Sequence, residues 1–198
     1  PAIRLRHAVV RAVARPTPRV IRVSLAGPDL ADLPTAAPDA YLKVFLPRAG
    51  QARPVLPTLP DGAGEGEVST WFRAYLDMPD TLRPPMRTYT LRRRREDPVE
   101  IDVDVVIHER GPGRDWALGA GPGDHVAFTG PYGLYTPSAD HDWVLLAGDE
   151  TAVPAIGAIV ESLPAATRAV VLAAVRDEAE QLTWETTADV GAHWVRPA

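Results

Sequence analysis

Apolar and polar residues alternate cleanly from Glu100 to His108. Ile101, Val103, Val105 and Ile107 fall on one face, and Asp102, Asp104 and His108 on the other. That is the period of a strand with one buried and one solvated face. Shorter apolar runs at 20–25, 41–46, 87–92 and 125–128 also read as strands. Gly and Pro punctuate them, and a short helix is expected near Trp116-Ala117-Leu118. Residues 47–68 are rich in Pro, Gly and Ala and predict a long mobile loop. Close-spaced short strands with one short helix predict a small antiparallel barrel.

Near residue 141 the pattern changes. Trp143-Val144-Leu145-Leu146-Ala147 is continuously apolar, as in a strand buried on both faces. Val153, Ile156, Val160 and Leu163 then recur at helical spacing. Residues 169–175 form a second apolar run, and His193-Trp194-Val195 suggests a third strand. Strand, helix, strand is a βαβ unit, the seed of a parallel sheet. The expected organisation is β + α/β, with a barrel over 1–138 and a smaller α/β domain over 139–198.

Composition narrows the choice. Among 198 residues there are 21 Pro and 15 Gly, which disfavours a mostly helical fold. No cysteine is present, which excludes disulfides, thiolate metal sites and a cysteine nucleophile and fits a reducing, cytoplasmic compartment. The net charge of -5 argues against nucleic acid as the main partner. No run approaches the ~20 apolar residues of a membrane span. Arg92 to Arg95 read as a solvated strand end, because Glu96, Asp97 and Glu100 follow at once. Asp39, Asp61, Glu65 and Glu67 have no spacing that specifies a metal cage.

Three segments could carry chemistry. Arg87-x-Tyr89-Thr90 combines a guanidinium suited to phosphate, a ring suited to stacking and a hydroxyl suited to a ring nitrogen. Taken alone, these residues fit an ordinary polar edge strand better. His108 to Ala117 includes a Gly-rich turn running into a helix, a natural seat for pyrophosphate. In isolation a strand-to-helix turn that uses glycine for its backbone freedom is the better reading. Gly148-Asp149-Glu150-Thr151 lies where a parallel strand ends and a helix begins, the usual ligand edge of such sheets. The plain alternative there is helix capping.

Taken in order, Met86–Arg92, Asp104–His108, Gly111-Pro112, Trp116-Ala117, Pro122-Gly123-Asp124, Gly130–Gly133 and Leu146–Ile156 resemble the siderophore-interacting protein family. Tyr41–Pro47 fits that family's early strand, and the resemblance spans roughly 8–180. The family comprises flavin-dependent ferric-siderophore reductases. The resemblance implies a ferredoxin-reductase-like architecture: an antiparallel Greek-key flavin-binding barrel followed by a parallel α/β nicotinamide-binding domain. It implies FAD as cofactor, NAD(P)H as electron donor and a ferric siderophore as partner, with iron released as Fe(II). Arg87 would meet the pyrophosphate, Tyr89 the flavin or its ribityl chain, and Thr90 the region of flavin N5. His108 and the turn through Gly111, Pro112, Gly113, Arg114, Trp116 and Ala117 would hold phosphates and ribose. Asp149, Glu150 and Thr151 would border the nicotinamide. Thr88, Asp104 and Ala152 complete the implied cofactor-binding set.

The resemblance implies no catalytic side chain and no resident metal. Strict alternation puts Tyr89 and Thr90 on opposite faces, which sets Thr90 against its implied role. Gly113-Arg114 departs from the small residue usual after Gly111-Pro112. The family's second domain continues past the last residue given, so an incomplete nicotinamide domain is expected. Two rival readings are a flavin reductase with another acceptor and a non-enzymatic barrel that binds a siderophore or lipid.

Overall fold

The computed structural model describes residues 3–136 and 142–196. The expected domain division at 138/139 lies outside the described residues. Six strands close a barrel: β1 (Arg6–Thr17), β2 (Val20–Ala26), β3 (Tyr41–Phe45), β4 (Met86–Glu96), β5 (Val99–Val106) and β6 (His125–Tyr132), in the order β1-β2-β5-β4-β3-β6. All its pairings are antiparallel, and β1 closes on β6 with Arg6 opposite Phe128. Closure removes the free sheet edges that would otherwise invite association.

Alternation along β5 builds the barrel core. Ile101, Val103 and Val105 point inward with Val23, Leu25, Leu42, Val44 and Phe128. The opposite face differs from the sequence expectation. Asp102 and Asp104 are buried, not solvated. Each has an arginine partner on a neighbouring strand. Arg22 forks onto Asp104 at 2.7 and 2.8 Å. Arg95 forks onto Asp102 at 2.6 and 2.9 Å, and Ser24 donates to Asp102 at 2.6 Å. The arginine run is therefore an ion-pair lattice rather than a solvated strand end. Arg92 is itself buried.

Two helices depart from expectation. The loop after Pro47 ends earlier than its composition suggests, because α1 (Glu65–Leu76) begins within it. The Glu67 carboxylate accepts the Gly64 N–H at 2.9 Å at the helix start. Trp71 and Tyr75 pack edge-on against Phe45, with ring centroids 5.7 and 5.2 Å away. Trp71 Nε1 also donates to Pro57 O at 2.8 Å, tying the preceding loop to the helix. The second helix, α2 (Pro112–Gly119), starts four residues before Trp116. Gly111 precedes it with φ 137°, a conformation that disfavours any side chain there.

After the barrel come β7 (Trp143–Asp149), α3 (Val153–Ser162), β8 (Arg168–Ala174) and β9 (Asp189–Val195). The three strands form a parallel sheet in the order β7-β8-β9. The third strand is longer than its three-residue apolar signal. Val153, Ile156, Val160 and Leu163 of α3 meet Leu146, Ala169, Val171 and Ala173 in one core, as their spacing predicts. Burial on both faces of β7 is not observed. Leu145 is 52% exposed, and Trp143 and Leu172 are also exposed. Among the described residues α3 covers a single face of this sheet.

Candidate functional site: a cleft between barrel and sheet

A cleft of about 480 Å³ runs between the barrel mouth and the C-terminal end of β7. Its floor is the first part of β4. Arg87, Thr88, Tyr89 and Thr90 all line it. The cleft wraps around the strand, so alternation does not remove Thr90 from reach. Across the ladder Tyr41 of β3 faces Thr90 and joins the lining.

The facing wall is the entry to α2. His108, Arg110, Gly111, Gly113 and Arg114 line the cleft here. Gly113 lies directly against Tyr89. A Cβ at 113 would collide with the phenol oxygen and meet Arg87 Cγ at 3.4 Å. Burial pushes the Tyr89 phenol up to about 12, with Arg87 pulling weakly the other way. The ring therefore enters the cleft neutral. Arg87 donates to Met86 O at 2.7 Å, and Arg114 pairs with Asp115 at 2.7 Å on the exposed rim. Three guanidiniums and the unblocked first turn of a helix thus converge on one cavity. That donor set suits a diphosphate, and the neutral Tyr89 ring beside it suits a flat heterocycle. The residues present fit FAD.

The opposite rim belongs to the sheet. Thr151 and Pro154 line the cleft. Asp149 accepts the Thr151 N–H at 2.9 Å and the Thr151 hydroxyl at 2.6 Å. Those bonds hold its carboxyl below the usual range.

Not every residue implied by the resemblance reaches the cavity. Asp104 lines it, but both its oxygens are engaged by Arg22. Trp116 and Ala117 turn inward onto the barrel core, because they lie on the buried side of α2. Pro112 serves as the first residue of that helix. Asp149 shapes the turn, Glu150 pairs with Arg176 at 3.3 Å, and Ala152 packs against the α3 core. None of these six, Trp116, Ala117, Pro112, Asp149, Glu150 and Ala152, is among the cleft-lining residues.

Conversely, Asp39, Tyr41, Arg110 and Pro154 line the cleft outside the implied set. Asp39 accepts the N–H groups of Leu134 (3.2 Å) and Tyr135 (3.0 Å), which fixes the chain leaving β6. Only the register of β3 against β4 reveals Tyr41. Arg110 sits within the Gly-rich segment and was legible there. Beside Tyr41 a second hollow of about 230 Å³ is walled by Phe45, Trp71, Phe72 and Tyr132. Lys43 projects into it, its ammonium 5.3 Å from the Phe72 ring centre and 5.8 Å from that of Tyr132. Among the described residues no His, Cys, Asp and Glu cluster is arranged to hold a metal ion. No helix among them is long and apolar enough to cross a membrane.

A closed antiparallel barrel, a parallel sheet and a cationic cleft between them define a protein of ferredoxin-reductase-like fold. The chain belongs to the siderophore-interacting protein family: residues 9–135 match the siderophore-interacting FAD-binding domain, and 141–198 the siderophore-interacting protein model. It is 35% identical over 159 residues to the ferric vibriobactin reductase of Vibrio cholerae, covering 80% of this chain and 54% of that one. It is 31% identical over 166 residues to an NADPH-dependent ferric-chelate reductase of Escherichia coli, covering 81% and 58%. Among solved structures it resembles a siderophore utilization protein from T. fusca, with a TM-score of 0.81 and 34% identity over 99% of this chain and 70% of that one. The chain spans little more than half the length of these two reductases.

Proposed function

We propose that the chain is the FAD-binding part of an NAD(P)H-dependent ferric-siderophore reductase. The observation that carries this reading is the meeting of Arg87 and Tyr89 with the bare first turn of α2 across one cleft. FAD, when bound, supplies a ring that takes a hydride and yields electrons singly.

The residues of this chain have separable tasks in that reading. Arg87, with Arg110 and Arg114 near by, neutralises the diphosphate. Gly111 and Gly113 let it approach the backbone of α2. Tyr89 and Tyr41 shield the heterocycle from water. Thr151 and Pro154 border the side from which a nicotinamide would approach, at the C-terminal end of a parallel strand. Lys43 among Phe72 and Tyr132 gives the neighbouring hollow one cation in an aromatic wall, which suits an anionic ferric chelate. Reduction to Fe(II) weakens the hold of hard oxygen ligands, so iron leaves without help from a protein acid or base. The names of the Vibrio cholerae and Escherichia coli relatives support the same reading.

An absorbance spectrum and an FAD titration of the purified protein test the cofactor. Anaerobic mixing with NADH and with NADPH tests the donor. Reoxidation by a ferric tricatecholate against a quinone tests the acceptor. A colourless protein that takes up no FAD would overturn the reading, and faster reoxidation by the quinone would overturn the acceptor assignment.

A further inference from the structure

Helix α3 has two working faces. One packs the parallel sheet through Val153, Ile156 and Val160. The other carries Pro154, Gly157 and Glu161, spaced i, i+3 and i+7, so they stand in line along the helix. Pro154 lines the cleft. Gly157 admits a close approach: a Cβ there would lie 2.7 Å from Trp184 Nε1 and 3.1 Å from Arg92 Nη2. Glu161 ends the line. Its two oxygens take Arg92 Nη1 and Nη2 at 2.7 and 2.8 Å.

Arg92 belongs to β4, the strand whose opening residues floor the cleft. Its side chain is 3% exposed. The guanidinium also lies 3.9 Å from Asp104, already occupied by Arg22. Helix and strand therefore share two landmarks. At one end Pro154 and Arg87–Thr90 face the same cavity. About 10 Å further along α3, the distance of seven helical residues, Glu161 and Arg92 are joined by a fork with one geometry. A buried ion pair is poor evidence of stability, since apolar residues of like volume often serve as well. Its best-attested service is to select one register among several packings.

The geometry points to Arg92 and Glu161 as positioning residues: their fork sets where α3 lies along β4, and so the gap between the barrel side and the sheet side of the cleft. The consequence for hydride transfer rests on the functional reading above; the orientation does not. At the far side of the junction Glu180 holds the barrel through Thr17. Beside the fork, Arg93 reaches Glu161 at 3.7 Å and Glu185 at 3.5 Å, both long and partly exposed, so the fork is the close, directional tie on this side of the junction.

The test compares the parent with Arg92→Met/Glu161→Leu, which replaces the pair by apolar groups of similar size. The chain has no cysteine. Spin labels can therefore be placed on Ala14→Cys and Ala166→Cys, both exposed, one in the barrel and one beyond α3. The parent is expected to give one narrow distance distribution, and the double variant one at least twice as broad. FAD affinity should stay within about 3-fold, while flavin reduction by NADH or NADPH slows about 10-fold. A distribution as narrow as the parent's would overturn the proposal. Should the double variant fail to fold, Arg92→Lys decides by the same measurement, since lysine keeps the charge but cannot fork. Failure of the parent to take up FAD would reject the functional reading and leave the distance measurement to judge this one.

Discussion

Glu180, in a short turn of the α/β unit, accepts the hydroxyl of Thr17 at 2.5 Å across the junction with the barrel. The same carboxylate oxygen takes the backbone N–H of Arg19 at 3.2 Å. Both Glu180 and Thr17 are buried. Hydrogen bonds to a charged group contribute about 1.5–3 kcal/mol each. Glu180→Ala should therefore destabilise the protein by about 3–5 kcal/mol in denaturant melts. A double-mutant cycle with Thr17→Val should return a coupling energy near 1–2 kcal/mol. Additive effects would show that the clasp contributes nothing of its own.

Arg87→Ala should weaken FAD by roughly 10–100-fold, the equivalent of one charge-assisted bond to phosphate. Its side chain is on the cleft and, among the described residues, makes only a local bond to Met86 O. The melting temperature of the apo-protein should hardly change. Unchanged FAD affinity would remove Arg87 from the site.

Tyr89→Ala should disturb flavin binding more than Tyr89→Phe, because the ring fills the cleft beside Gly113. The aromatic contribution beyond area is about 0.5–1.5 kcal/mol. Alkaline unfolding gives a second readout. The phenol is raised to about 12 in the folded protein, against about 10 when unfolded. The unfolded chain ionises first, so this residue's contribution is complete below pH 10 and is lost as pH rises from 10 to 12. Tyr89→Phe should show a shallower loss than the parent in that window. Equal slopes would contradict a buried phenol.

Asp104→Asn should lower stability by about 3–5 kcal/mol, because it strands the Arg22 fork beside buried Arg92. FAD affinity, measured well below the melting temperature, should change less than about 3-fold. Loss of FAD affinity without loss of stability would make Asp104 a ligand after all.

Taken alone, the Arg87–Thr90 run and the Gly-rich segment at 108–114 read as an ordinary strand and turn; their order and spacing along the chain singled them out, because local chemistry does not say which surfaces will face each other. Helix α1 was not read from the sequence. Val68, Trp71, Phe72 and Tyr75 recur at helical spacing, but the Pro and Gly run before them masks where the loop stops. Tyr41 and Asp39 were not readable as site residues. Tyr41 enters through the register of β3 on β4, and Asp39 through its bonds to the chain after β6.

The sequence by itself determined the barrel and the βαβ unit and singled out three segments that reach the cleft, since period, turn residues and local donor types depend on near neighbours. Tertiary structure decided which of those residues face the cavity and which are spent on the frame. Asp104 and the arginine run read as solvated groups until strands distant in sequence pair them. The fork of Arg92 on Glu161 joins residues 69 positions apart. No local pattern encodes such a meeting, because the partner of a charge is set by which surfaces the folded chain brings together.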